Sequence, residues 1–135
     1  MNIIVCIDDE YGMLFNHRRQ SRDRLLRERI LMLTKGKKLW MNAYSAKLFE
    51  EEHAENIVVD EDFFHNAGDG DYCFVETEDI MKYIQRIEGI TLYRWNRRYP
   101  SDFKFTLDLS DWTMESTFEF VGSSHEKITE EIYRK

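Results

Sequence analysis

The chain has 135 residues, of which 42% are hydrophobic and 14% aromatic, so it is too apolar for a disordered chain and fits a single domain over residues 1–135. Its formal net charge of −7 argues against general, non-specific attraction to nucleic acid or to membranes. No apolar run approaches the roughly 18 residues of a membrane span, and the start Met1–Ile7 lacks the basic region of a signal peptide, so we expect a cytoplasmic protein.

The first part of the chain alternates strands with helices. Residues 2–7 form a short apolar run that is typical of a central strand covered on both faces, and a polar loop follows to Gln20. Apolar residues then recur every three or four positions, which predicts a helix. We expect Ser21 to be its N-cap and Gly36 to end it. The other predicted elements are strands at 39–41, 57–59 and 72–75 and helices capped by Ser45 and Thr77. This alternation predicts a largely parallel sheet with helices packed on it.

The part of the chain after Gly89 lacks helical spacers between its strands. Its predicted strands lie at 90–95, 103–107 and 117–121. The tail is ambiguous, because residues 123–126 have the pattern of a capping box that opens a helix, whereas residues 128–132 alternate as a strand would. Local propensity alone favours the helix.

Several short motifs occur together in one order. Residues 3–12, with Asn16 just after them, precede a Gly-Lys-Lys-Leu-Trp-Met segment at 36–41, and Asn56–Val59 follows. The further matching segments are Leu92-Tyr93, Asp102–Phe105, Asp111-Trp112 and Phe118–Tyr133. In this order and spacing, the motifs resemble dihydrofolate reductase in a divergent, shortened form.

The resemblance implies a three-layer α/β fold. The reductase family has a mixed, mostly parallel sheet with helices on both faces and a C-terminal antiparallel hairpin. Residues 128–133 would then pair as a strand with residues 117–121, around a turn at 122–126. The resemblance therefore favours a strand in the tail, against the local capping signal.

The sequence also departs from the family pattern near the expected cofactor site. Residues 17–20 replace the proline and tryptophan of the family loop, and residues 42–45 lack the arginine expected near the cofactor phosphate. The strand that ends in a double glycine before a helix has no counterpart, because Gly89 runs directly into Ile90. In the family those glycines let the backbone approach the cofactor pyrophosphate at a helix N-terminus. We therefore expect no cofactor and no NADPH-dependent reduction of dihydrofolate.

Neither the cysteines nor the histidines indicate a metal centre. Cys6 and Cys73 each lie in an apolar, strand-like run, so we expect two buried, reduced thiols; a metal pair is the alternative, without CxxC or HxxxH spacing to support it. The opening also resembles short bacterial proteins that carry the label ribonuclease Z. A two-zinc nuclease needs clustered histidines and aspartates, and the four histidines here are isolated, so we expect no metal.

The strongest candidate site is a basic segment within the acidic chain. From His17 to Lys38 the sequence contains nine lysines and arginines but only two acidic residues, so this segment has a charge of about +7. The guanidinium group of arginine binds two phosphate or carboxylate oxygens at once, and the start of a helix adds free N–H groups, so we expect an anion site there. The candidate ligand-binding residues are Asn16, Arg18, Arg19, Ser21 and Arg22. The alternative is a solvated basic face that pairs with the acidic run at 50–55.

Asp23 is the candidate catalytic residue. The resemblance implies a substrate-binding acid early in the first helix, where it protonates and anchors a pterin ring, and Asp23 is the nearest match. The alternative is a helix N-terminal acid that satisfies the helix dipole and screens the neighbouring arginines.

The segment from Tyr93 to Tyr99 is a second candidate, since it alternates basic and aromatic residues. Aromatic side chains can stack on a base while basic side chains bind its phosphate, so Arg94 and Trp95 are also predicted ligand-binding residues. In the alternative interpretation the aromatic side chains are buried and the arginines point outward, because successive strand residues face opposite ways.

Three functional hypotheses follow from these residues. The favoured one is a non-catalytic protein that binds a small anionic, nucleotide- or pterin-like ligand. The second is an enzyme with altered chemistry at the same cleft and Asp23 as general acid. The third is a protein–protein module whose basic helix face meets an acidic partner, or its own acidic surface in a homodimer. Residues 122–126 contain Ser, His and Glu, but these lie too close in sequence for a catalytic triad and predict a turn.

Overall fold

A computed structural model describes residues Met1–Lys135. Its strands are β1 (Asn2–Ile7), β2 (Gly12–Phe15), β3 (Arg18–Arg19), β4 (Leu39–Met41), β5 (Ile57–Val59), β6 (Tyr72–Phe74), β7 (Gly89–Arg94), β8 (Phe103–Lys104), β9 (Thr113–Phe120) and β10 (Ile128–Arg134). Its helices are α1 (Arg24–Leu33), α2 (Ala43–Leu48) and α3 (Phe63–Asn66), with 3₁₀ helices at Glu50–Glu52 and Ile80–Arg86.

Seven strands form one mixed sheet in the order β5-β4-β6-β1-β7-β10-β9. β1 pairs in parallel with β6 and β7, and β4 pairs in parallel with β5 and β6. β10 runs antiparallel to both β7 and β9. The predicted fold class, a mostly parallel sheet with a C-terminal antiparallel hairpin, is therefore confirmed.

Helical segments cover both faces of this sheet. Side chains of β1 alternate between the faces, as the two-residue period of a strand requires. Ile4 belongs to the core cluster that contains Leu26 and Ile30 of α1, whereas Ile3 belongs to the cluster that contains Phe63 of α3. The sheet is thus the middle of three layers. No helix in the structure has both the length and the apolar character to cross a bilayer.

The predicted helix caps lie two or three residues away from the observed ones. α1 is capped by Asp23, whose side chain accepts a hydrogen bond from the backbone N–H of Leu26, and not by Ser21. The C-cap is Thr34, two residues before the predicted end at Gly36. The caps of α2 and of the second 3₁₀ helix are Asn42 and Asp79, in place of Ser45 and Thr77. Ser, Thr, Asn and Asp are all good N-caps, so the local sequence offered several choices.

The predicted polar loop after β1 contains part of a second, three-stranded sheet. In that sheet β2 pairs antiparallel with β3 and with β8, which keeps only the first two residues of the predicted strand at 103–107. Asn16 and His17 form the turn between β2 and β3 with φ of 54° and 62°. Two-residue hairpin turns need such positive angles, and Asn adopts them more readily than most residues. This sheet carries the candidate residues from Asn16 to Arg19.

The tail of the chain is a strand, as the resemblance predicted, and the helix that local propensity favoured is wrong. β10 hydrogen-bonds to β7 on one side and to β9 on the other. Between β9 and β10 the chain reverses, and the Gly122 N–H donates to the carbonyl of His125 at 2.9 Å. Pairing with two neighbours satisfies the backbone of the tail more completely than a short, isolated helix would.

Candidate ligand-binding site

A narrow cleft opens at the carboxyl edge of the large sheet, beside β1. Its walls come from α1 and from the ends of three strands, at Cys6, Val75 and Trp95. β1 has a parallel neighbour on each side, and open α/β sheets bind ligands at the carboxyl ends of strands where the connections diverge. The cavity volume of this cleft is only about 20 Å³, which is enough for about one water molecule.

A wider groove adjoins the cleft. The groove is lined by Phe15, Asn16, Arg18, Arg19, Gln20, Tyr99 and Pro100. Its volume of about 630 Å³ lies within the usual range for small-molecule sites. Arg19 and Gln20 line both the groove and the cleft, so the two openings share a wall. The structure therefore brings together three of the predicted residues, Asn16, Arg18 and Arg19, in an opening with room for a ligand.

The buried carboxylate of Asp8 positions the loops that form the groove. Its Oδ2 accepts hydrogen bonds from Gln20 Nε2 at 3.1 Å and from the Tyr99 N–H at 3.0 Å. Its Oδ1 accepts from the Gly12 N–H at 2.7 Å. Burial acts to raise the pKa of Asp8, but these hydrogen bonds outweigh it and hold the pKa below its ordinary value. An ionised Asp8 thus ties two walls of the groove to the end of β1.

The carboxylate of Asp23 is buried, with an exposed fraction of 3%, and is saturated with donors. Its Oδ1 accepts from the N–H groups of Leu26 and Ser123. Its Oδ2 accepts from Ser124 and lies 2.9 Å from His125 Nδ1. Burial acts to raise the pKa of Asp23, but the hydrogen bonds, led by that from His125, hold the pKa well below the usual range. A carboxyl that stays ionised at neutral pH has no proton to donate, so the geometry favours a structural or orienting role over that of general acid.

His125 connects Asp23 to Ser21. The imidazole is buried and stacks on Trp95, with 4.5 Å between the ring centroids. Its Nε2 lies 2.9 Å from Ser21 Oγ, although the two residues are 104 positions apart in the chain. Tyr99 Oη lies 3.2 Å from the same nitrogen. The predicted turn at 122–126 is present, and it also brings His125 to residues of another element, which local sequence does not show.

Arg19 is already paired within the protein. Its Nε and Nη2 each donate to Glu76 at 2.9 Å, and its guanidinium lies 4.3 Å from the centroid of the Tyr44 ring. Burial acts to lower the pKa of Arg19, but the bonds to Glu76 outweigh it and raise the pKa. Arg19 therefore forms a fixed wall whose charge is largely neutralised.

Much of the predicted basic segment is neutralised in the same way. The ion pairs of this segment are Arg19–Glu76, Arg24–Glu28, Arg27–Glu52 and Arg29–Glu130. Of these, only the pair to Glu52 involves the acidic run at 50–55. Arg18 and Arg22 are exposed and form no ion pair. Arg18 lines the groove and Arg22 lines the cleft, so they carry the uncompensated positive charge of the site.

The second predicted segment contributes its aromatic residue and not its arginine. Trp95 is buried and lines the cleft. Arg94 lies on the opposite face of the strand, where Nε donates to Glu131 at 2.8 Å and the guanidinium lies 5.3 Å from the centroid of the Tyr11 ring. The alternative interpretation, with buried aromatic side chains and outward arginines, describes this strand.

The two cysteines are free thiols. Cys6 lines the cleft, where burial and the nearby Glu76 carboxylate raise its pKa far above the ordinary value. Burial raises the pKa of Cys73 to about 12. Neither thiol ionises at neutral pH, so neither has the thiolate character of a nucleophile. No three His, Cys, Asp or Glu side chains are grouped as metal ligands.

Three further side chains contribute to the site without having been among the predicted residues, Gln20, Tyr99 and His125, although the first two lie in the two predicted segments. Each lies in a loop whose course is set by a buried aspartate, because Asp8 binds the first two and Asp23 binds the third. The available signal was the position of these two acids, one directly after a buried strand and one at a helix start. The positions of these two aspartates indicate that they hold loops in place, but they do not show which loop residues they bind.

Comparison with known proteins supports the fold. No protein-family model and no curated protein matches the sequence. Among solved structures, dihydrofolate reductase from Enterococcus faecalis, complexed with NADP(H) and RAB-propyl, is similar with a TM-score of 0.66. The similarity covers 98% of this chain and 94% of that chain, at 12% sequence identity.

The fold is that of dihydrofolate reductase. The resemblance predicted from the sequence is therefore confirmed for the architecture, whereas a shared fold alone transfers no activity.

The segment after β6 bears on the expected loss of the cofactor site. A strand that leads into a helical segment is present, because β6 precedes the 3₁₀ helix at Ile80–Arg86. The residues that follow β6 are Val75, Glu76 and Thr77, none of which is glycine. No glycine therefore stands directly after β6, and the Glu76 carboxylate lies there; the absence of a cofactor stays a prediction.

Proposed function

We propose that this protein binds a small anionic molecule, with the chemistry of a nucleotide or an anionic pterin, in the groove and against its shared wall with the cleft. The observation that carries the proposal is a pair of exposed guanidinium groups without an ion pair: Arg18 lines the groove of about 630 Å³, and Arg22 lines the adjoining cleft. Guanidinium groups bind phosphate and carboxylate oxygens in bidentate geometry, with charge-assisted hydrogen bonds.

The charge distribution supports local binding of an anion. The whole chain has a formal net charge of −7, yet Arg18 and Arg22, which form no ion pair, line two adjoining openings. Like charges that are held together repel each other, and a bound anion relieves that repulsion. An acidic body also repels large polyanions, so the site favours a small ligand over nucleic acid.

An unsatisfied acceptor in the shared wall points to the same class of ligand. Gln20 Oε1 is buried and accepts no hydrogen bond, while Gln20 Nε2 donates to Asp8. Buried polar atoms rarely lack a partner, so a donor from a ligand or a water molecule completes this one. A ligand that has both an anionic group for the arginines and an N–H or O–H group for Gln20 matches the site, and nucleotides and pterins have both.

Thermal unfolding with pyrophosphate as the probe tests the proposal. We expect pyrophosphate to raise the Tm of the wild-type chain, because binding to the native state stabilises it by mass action. In the double variant R18A/R22A the apparent Kd for pyrophosphate should be higher by about tenfold or more, since each lost charge-assisted contact is worth about 1 kcal/mol.

The variant K35A/K37A is a matched control. It removes the same charge from the same basic segment, but at exposed positions beyond the other end of α1. We expect it to keep the pyrophosphate response. If both double variants lost the pyrophosphate response equally, the effect would be one of long-range charge and not of a site. A wild-type chain whose Tm pyrophosphate does not raise would contradict the proposal.

A further inference from the structure

We propose that Ser21 is a nucleophile, activated by His125 and Asp23, and that this protein cleaves ester bonds in small anionic molecules. The inference rests on the proposed function, because the anion held by Arg18 and Arg22 is taken to be the substrate. The three side chains form one chain of hydrogen bonds, with 2.9 Å from Asp23 Oδ2 to His125 Nδ1 and 2.9 Å from His125 Nε2 to Ser21 Oγ.

The partners of His125 decide which of its nitrogens carries the proton. Asp23 is ionised and only accepts hydrogen bonds, so His125 Nδ1 bears the hydrogen that it donates to Oδ2. In the form that the proposal requires, Nε2 carries no hydrogen and accepts a hydrogen bond from the Ser21 hydroxyl. The order carboxylate, imidazole, hydroxyl is the arrangement that activates a serine for attack on a carbonyl.

Two other hydroxyl groups lie near the same imidazole, and neither occupies the position of Ser21. Ser124 Oγ lies 3.1 Å from Nδ1, the nitrogen that already bears a hydrogen and therefore cannot accept a proton. Tyr99 Oη lies 3.2 Å from Nε2 and 3.4 Å from Ser21 Oγ, so the 2.9 Å contact of Ser21 Oγ is the shortest that Nε2 makes to a hydroxyl group. The geometry thus selects one of the three hydroxyl groups.

The surroundings hold the imidazole in place, and Ser21 lies in the wall of the narrow cleft, next to Gln20 of the wall shared with the groove. His125 is buried between Trp95 and Asp23, whereas Ser21 is half-buried and lines the cleft. The backbone N–H groups of Ser21 and Arg22 make no hydrogen bond within the protein. We assign these two N–H groups and the exposed Arg22 guanidinium, all without a partner in the protein, to the stabilisation of the oxyanion that forms when Ser21 attacks.

The reaction is a two-step acyl transfer. In the first step Ser21 Oγ forms a bond to the ester carbonyl carbon, its proton moves to His125 Nε2, and the alkoxide leaves with that proton as an alcohol. In the second step water attacks the acyl-serine, its proton passes through Nε2 to Ser21 Oγ, and the carboxylate product departs. Asp23 stays ionised throughout and stabilises the imidazolium. The products are one alcohol and one carboxylic acid, with water as the only co-reactant.

A fluorophosphonate probe, which modifies activated serines, tests the inference by intact-mass analysis and peptide mapping. We expect one adduct, on Ser21, in the wild-type chain and none in Ser21→Ala. His125→Asn should slow labelling by about a hundredfold or more, since it removes the base. The exposed Ser110→Ala is the control and should label like the wild type. Ser21→Ala removes a half-buried hydroxyl only, and an unchanged Tm will show that it folds.

Hydrolysis of 4-nitrophenyl esters gives a second measurement. The wild-type chain should hydrolyse the hemisuccinate, which is anionic, at least tenfold faster than the neutral acetate, and Ser21→Ala should lose this activity. Absence of the adduct, or an adduct that persists in Ser21→Ala, would overturn the inference. Pyrophosphate binding to Ser21→Ala tests the proposed function separately. If the wild-type chain binds pyrophosphate but the probe does not label it, only the nucleophile is rejected. If the probe labels Ser21 but pyrophosphate does not bind, the anion site is rejected.

Discussion

At the scale of single residues, the buried carboxylate of Asp23 links the sequence to the site. It caps α1 and at the same time accepts hydrogen bonds from Ser123, Ser124 and His125. The sequence offered two roles for it, a substrate-binding acid or a helix N-terminal acid. The second describes its position, because the backbone donors of a helix start and of a turn converge on it.

Replacement of Asp23 by Asn should lower the free energy of unfolding by about 3 kcal/mol at neutral pH, because it removes a buried charge that several donors satisfy. The folded-state pKa of Asp23 is lowered, so its contribution is complete above the ordinary value of about 4 and is lost as the pH falls through the folded-state pKa. Urea denaturation from pH 7 to pH 2 measures this.

The difference between wild type and Asp23→Asn should therefore shrink at pH 2. The control Asp69→Asn, in an exposed loop, should match the wild type at every pH. A difference that stays constant down to pH 2 would show that the carboxylate charge contributes nothing.

Local sequence identified part of the site because basic residues are visible without a fold. Asn16, Arg18 and Arg19 line the groove, and Arg22 and Ser21 line the cleft. Which arginines are free depends on distant partners: Glu76, the partner of Arg19, is 57 positions away. Such pairings follow from the tertiary structure, so the sequence predicted the charge of the site but not its distribution.

At the scale of elements, the β9–β10 hairpin is attached to α1 at two points. Its turn binds Asp23, and Glu130 of β10 accepts from Arg29 at 2.8 and 3.0 Å and from Tyr93 at 2.8 Å. These contacts join the start of α1 to the end of the chain. They explain why the tail is a strand although residues 123–126 have a capping pattern, since local propensity is a weaker determinant than pairing with two strands.

Gly122 lets the hairpin turn approach Asp23 closely. A Cβ at this position would collide with Asp23 Oδ2 and lie 2.9 Å from both Asp23 Cγ and Ile128 Cδ1. We expect Gly122→Ala to lower the free energy of unfolding by about 2 kcal/mol, as overpacking of a close contact does. Urea denaturation measures the change.

Gly68→Ala is the control, because its Cβ would meet nothing nearer than 3.6 Å. Its stability should stay within about 0.5 kcal/mol of the wild type. A Gly122→Ala variant as stable as this control would show that the turn does not need its close approach to α1.

At the scale of the whole molecule, strand periodicity predicted the large sheet well and the small sheet poorly. Runs such as residues 2–7 are buried on both faces, so their apolar composition is sufficient evidence for a central strand. β2 and β3 have four and two residues and lie within the largely polar stretch from Asp8 to Gln20, which was interpreted as loop. The groove lies against this small sheet, which is why its shape was not predictable from the sequence.

The structure has two adjoining openings of very different size. The cleft at the sheet edge, at about 20 Å³, holds no more than a water molecule, and the Arg19–Glu76 pair forms part of its wall. The opening with room for a ligand is the groove beside it, at about 630 Å³. We therefore propose ligand binding at the basic edge of the small sheet.

An amide NMR titration with pyrophosphate tests this placement most directly. We expect chemical-shift changes at residues 16–22 and at Tyr99, which line the groove and its shared wall. Changes confined to the exposed lysines Lys35, Lys37 and Lys38, or a spectrum that pyrophosphate leaves unchanged, would contradict the account.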